Sequence, residues 1–153
     1  MENIDSTQFS NWLSYKKSML NRCIWAVKLF IIELTDSRKY VEHIISVSEN
    51  QKKAIDILID KSQIDYIGEN PDLFDIIHHP YIADILIKED KTGLLLDNLT
   101  LYDNLYFEHA RDIIFLCMRQ EYSKSSINNI IEKHITHFEK GAHLPIRNFL
   151  HTM

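Results

Sequence analysis

Eight histidines, two cysteines and twenty-two carboxylates are the side chains of this chain that could do chemistry. Few of them stand at a spacing that chemistry requires. His134 and His137 sit at i and i+3, near one helical face, with Glu139 and His143 close by. His78, His79 and His109 could join them only through tertiary folding. Zinc usually takes three or four ligands, and helical ligand pairs favour i, i+4. The Glu-x-x-His pair of carboxylate-bridged di-iron bundles is absent too. A half-exposed histidine pair on a polar helix face is therefore expected, with no metal and no cofactor. Gly68, Gly93 and Gly141 are too far apart to cradle a phosphate. Cys23 and Cys117 lie in the apolar contexts RCIWAV and IFLCMR, which do not stabilise a thiolate. There is no GxSxG nucleophile turn. The chain reads as a non-enzyme.

Pro71-Asp72 followed by Glu89-Asp90-Lys91 fits the PD…ExK string of metal-dependent nucleases, in which carboxylates hold Mg²⁺ and the lysine positions water. That site is built on adjacent strands, whereas Asn70-Pro71-Asp72 has the grammar of a helix start: a capping Asn, Pro at the first position, an acid in the first turn. The charge distribution also opposes it. Residues 51–112 carry six basic and thirteen acidic side chains, against six of each sign in residues 1–50 and five against three in residues 113–153. An acidic middle third repels nucleic-acid phosphates and suits a cationic protein. Tyrosines are interleaved there, and acids beside aromatic anchors are the chemistry of an interface that selects a basic partner. The residues expected to form it are Asp65, Glu69, Asp72, Asp75, Asp84, Glu89, Asp90, Asp97, Tyr102, Asp103 and Tyr106.

The elements that must position these residues are helical. Three glycines and three prolines in 153 residues leave few breakers for hairpins. From Phe9 to Leu34, Phe9, Trp12, Leu13, Leu20, Cys23, Ile24, Val27, Phe30, Ile31 and Leu34 recur at helical steps. A helix this apolar predicts a central post covered by other elements, with Cys23 and Cys117 as buried free thiols. Asp36 or Ser37 offers a cap for a short helix through Tyr40, Val41, Ile44 and Ile45. Gln51 to Asn70 reads as one helical run, ended by Gly68 and Asn70. A helix opens at Pro71 and ends at His79, and Pro80 opens another through Lys88. Leu94 to Tyr102 fits a short helix or a strand. Tyr102 to Tyr122 predicts a second long helix, and Ser123 to Ser126 cap a further one that Gly141 closes. Pro145 starts a last turn or two, Ile146 to Leu150.

About eight helices with short links predict an all-α, single-domain bundle over residues 1–153, with short pairs that stack in an armadillo- or HEAT-like way. No repeat of fixed period supports a true array. The polar N-terminus lacks a secretory pattern, and the Cys23–Ile32 run is too short to span a bilayer. A cytoplasmic protein without membrane contact is expected.

Small, acidic, helical and motif-free, the chain resembles in size, charge and makeup the bacterial immunity proteins that block a cognate toxin. The resemblance implies an inhibitor of a basic toxin, often a nuclease, whose acids mimic substrate phosphates while Tyr102 and Tyr106 pack as anchors. The alternative is a helical adaptor, chaperone or effector scaffold with an apolar groove, whose binding would show little salt dependence.

Overall fold

The computed structural model describes residues 6–35 and 37–153, with side chains for residues 7–24 and 37–153. Among the described residues there are nine α-helices, four short 3-10 turns and no strand. The all-α expectation holds. The chain divides into two compact units, Met1–His43 and Ile44–Met153.

The first unit holds α1 (Ser6–Thr35) and the start of α2 (Ser37–Val47). No glycine or proline interrupts either helix. Yet the described side chains of α1 do not form the buried face that its apolar spacing predicts. Phe9, Trp12, Leu13, Leu20 and Ile24 are all exposed, Trp12 at 53% and Leu20 at 60%. Cys23 is exposed as well, against the expected burial, whereas Cys117 is a buried free thiol. Helical spacing puts residues on one face but does not say what that face meets. Val27, Phe30, Ile31 and Leu34 of the same expected face, and Asp36 as a cap, lie outside the described side chains. In α2, Tyr40 and Val41 are buried, as their spacing suggests.

The second unit contains α3 (Gln51–Asp60), α4 (Ile64–Glu69), α5 (His79–Lys88), α6 (Thr92–Asp97), α7 (Phe107–Arg119), α8 (Lys124–His134) and α9 (Lys140–His151). Helices α4 to α7 pack on their neighbours in sequence, and α9 packs on α7. Ile55, Leu58, Leu86, Leu95, Leu105, Ile113 and Ile146 are fully buried at the core.

Local chemistry sets the boundaries. Asn50 caps α3, its Oδ1 accepting the Lys53 N–H at 2.8 Å. The expected run from Gln51 to Asn70 is two helices, broken where Ser62 turns left-handed at φ 61°. Gly68 permits the close approach of α4 to its neighbours: a Cβ there would lie 2.8 Å from Leu94 Cδ2 and 2.9 Å from Leu86 Cδ2.

Pro71 opens only a 3-10 turn, Pro71–Leu73, before extended Phe74 and a second turn, Ile76–His78. The helix expected there does not form, and the carbonyls of Pro71 and Phe74 face the His79 imidazole instead. Leu94 to Tyr102 is helical: α6, then the turn Leu99–Leu101. The long helix expected from Tyr102 begins only at Phe107. Leu105 is drawn instead into an isolated bridge with Phe138, donating to the His137 carbonyl at 3.1 Å and accepting from the Glu139 N–H at 2.8 Å. Ser123 caps α8, its Oγ accepting the Ser126 N–H at 3.1 Å. Gly141 does not close that helix. It lies inside α9, and α8 passes into the turn Ile135–His137.

Candidate functional site

Some of the acid-bearing segments of the second unit are tied together by three buried side chains with polar groups, His79, Tyr102 and His109. His79 begins α5 and is 2% exposed. The Asp103 N–H donates to its Nδ1 at 3.0 Å, so Nδ1 is the acceptor and the proton sits on Nε2. That Nε2–H donates to the Pro71 carbonyl at 2.9 Å and the Phe74 carbonyl at 3.2 Å. One ring thus joins the Pro71–Phe74 loop to the loop after Tyr102. The Tyr102 ring packs edge-on against it, 5.7 Å between centroids.

Tyr102 is fully buried, and its hydroxyl donates to the Gly68 carbonyl at 2.7 Å. Burial pushes its phenol well above the usual tyrosine range. The expectation that Tyr102 packs against a partner is therefore corrected. It anchors the loops internally, because its ring fills the core and its hydroxyl satisfies a buried carbonyl. Tyr106, in contrast, is exposed.

His109, in the first turn of α7, repeats the arrangement of His79. Its Nδ1 accepts the Tyr106 N–H at 2.9 Å, and its Nε2–H donates to Asp84 Oδ1 at 2.7 Å. The ring is buried while the Asp84 side chain stays mostly in solvent. Asp84 and Tyr106, twenty-two positions apart, are thereby fixed through one imidazole.

All nine carboxylates expected at the interface, Asp65 to Asp103, are exposed. Asp65 pairs with Lys91, and Asp103 lies 3.6 Å from His137 Nδ1. Glu69, Asp72, Asp75, Glu89, Asp90 and Asp97 have no side-chain partner among the described residues. The imidazoles bring together the segments that carry Asp72, Asp75 and Asp103, and separately Asp84 with Tyr106. Among the described residues, no hydrogen bond ties Glu89, Asp90 or Asp97 to either group. From Ser62 to Ile87 the chain has five acids and no lysine or arginine.

Sequence reasoning missed two features. His79 and His109 carry little local signal of their role, since apart from the Tyr106 N–H, three positions from His109, their partners stand five to twenty-five positions away. Ile76 and Ile77 fall within the helix expected from Pro71 to His79, yet they are 53% and 69% exposed on the short turn beside Asp75. That turn is fixed in part by the Asp75 N–H donating to Gln51 Oε1 at 2.9 Å.

His134 and His137 do meet, with ring centroids 5.7 Å apart, and the Nδ1 of each has no hydrogen-bond partner among the described residues. Desolvation, then His137 and Lys133, push the His134 imidazole below its ordinary value. No group of three or more His, Cys, Asp or Glu among the described residues could hold a metal ion. Burial raises the Cys117 thiol, which makes it a poor nucleophile. Between α3, α4 and α5 the isoleucines enclose only about 10 Å³, too little for a ligand. An open depression of about 600 Å³ at the α7–α8 turn, lined by Glu121, Tyr122, Ser126 and Ile130 among others, contains no acid–base pair.

A scan of protein-family models finds no match to the chain. Searches of curated proteins and of solved structures give no significant match either. No helix among the described residues is long and apolar enough to cross a membrane.

Proposed function

We propose that the protein is a non-enzymatic inhibitor that neutralises a basic protein, in the manner of an immunity protein acting on a cognate toxin such as a nuclease. One observation carries the reading. Nine exposed carboxylates lie on loops and short helices, and some of those loops are braced by buried His79, Tyr102 and His109. Ordering those loops beforehand lowers the entropy lost on association. Unpaired acids speed encounter with a cationic surface and reject anionic ones. In this reading the short paired helices stack in an armadillo- or HEAT-like way, and Tyr106 is the aromatic anchor beside Asp84 and Asp103.

The test is capture on the immobilised protein with a salt gradient, followed by assay of the bound partner's activity. A single basic partner, released by salt and inhibited by the free protein, is the expected result. The double variant Asp97→Lys with Asp103→Lys should weaken that complex by about 2–5 kcal/mol and slow association. A partner held equally well at high salt, or by the double variant, would overturn this placement of the interface.

A further inference from the structure

The described side chains of α1, residues 7–24, are exposed and opposite in charge to the acidic loops. At 100° per residue, Phe9, Trp12, Leu13, Met19, Leu20 and Ile24 fall within an arc of about 140°. Every one of them is exposed. Asn11, Ser14, Ser18 and Asn21 occupy the opposite side. From Thr7 to Ile24 the helix carries Lys16, Lys17 and Arg22 and no acid. Phe9 stacks on Trp12 at 6.1 Å, and the Lys16 ammonium lies 5.7 Å from the Trp12 ring centroid. Lys16 falls inside the apolar arc with its ammonium over the Trp12 ring, and its long flexible stem lets that charge swing out to the polar boundary when the arc is buried.

We infer that α1 docks in the plane of an anionic lipid surface, its apolar arc in the acyl boundary and its basic side chains on lipid phosphates. Charge decides between occupants. A second copy laid along this arc would set Lys16 and Lys17 against their own counterparts, with no acid in the stretch to answer them. An anionic bilayer answers all three cations and accepts the aromatic pair at its interface. The same three charges keep the segment from spanning the membrane. This inference is independent of the inhibitor reading, since no acidic residue contributes to it.

Both tryptophans of the protein, Trp12 and Trp25, lie in α1, so selectively excited tryptophan fluorescence reports on this helix. The full chain is titrated with phosphatidylcholine vesicles, with and without phosphatidylserine, and followed by emission and by co-sedimentation. A blue shift and sedimentation with the phosphatidylserine vesicles only, reversed by salt, are expected. The triple variant K16Q/K17Q/R22Q, which changes exposed side chains alone, should lose about a hundredfold in partitioning, at about 1 kcal/mol per basic residue. Trp12→Ser should weaken binding to the phosphatidylserine vesicles. No vesicle-dependent change overturns the inference. So does equal binding to neutral vesicles, or a dimer by light scattering whose emission is already blue-shifted without lipid.

Discussion

Helix α1 and the helices of the Ile44–Met153 unit are written in the same apolar code and meet opposite ends. Leu20 and Leu58 each sit on an apolar helical face, yet Leu20 is 60% exposed and Leu58 is fully buried. The charges differ in the same sense. The described side chains of α1 carry three cations and no acid, whereas residues 44–153 carry eleven basic and seventeen acidic side chains. Periodicity is a property of one helix, and burial is a property of what packs against it. A face can therefore be read from sequence with confidence in its direction and with none in its destination.

That contrast can be sharpened by paired substitutions followed by denaturant unfolding. Leu58→Ala should cost about 2–5 kcal/mol through lost burial and a cavity, while Leu20→Ala should stay within about 0.5 kcal/mol. A comparable cost at both positions would show that α1 is covered in solution. Next in size is Gly68→Ala, expected to cost about 1–3 kcal/mol, because its methyl must displace the ends of Leu86 and Leu94. Tyr102→Phe should cost about 1–2 kcal/mol by leaving the Gly68 carbonyl buried without its donor.

Smaller effects come from titration. The His134 imidazole lies below its ordinary value of 6.5 when folded, so the unfolded chain binds more protons in mild acid. Stability should fall as pH drops below about 6.5, and His134→Gln should flatten that limb of a pH series measured by thermal unfolding. The smallest effect is expected for Asp72→Asn with Asp75→Asn, whose carboxylates have no partner to lose. Folding stability should move by no more than about 0.5 kcal/mol, while affinity for a basic partner falls. A large stability change there would mean that these acids brace the loop rather than present charge.

Much of the fold is legible along the chain. The scarcity of glycine and proline, the Asn50 and Ser123 caps and the apolar faces of α2 and α3 follow from short-range chemistry. The errors fall where long-range hydrogen bonds compete with local grammar. Asn70-Pro71-Asp72 spells a helix start, but His79 faces the carbonyls of Pro71 and Phe74. Tyr102 to Tyr106 has helical spacing, but Leu105 pairs with the Ile135–Phe138 turn thirty-three positions away.

For the candidate site, exposure of the acids was legible because carboxylates without local partners stay in water. The role of Tyr102 was not, since a tyrosine serves a surface as readily as a core until its hydroxyl finds a partner. The sequence by itself determined helix content, the sign of the charge in the middle third and the lack of any phosphate-binding loop or serine-nucleophile turn. Those depend on residue type and on spacings of a few positions. Only the tertiary structure decided which apolar face is buried, which tyrosine points inward and which imidazoles brace the loops. Each of those choices is a contact between residues far apart in the chain, which no local pattern encodes.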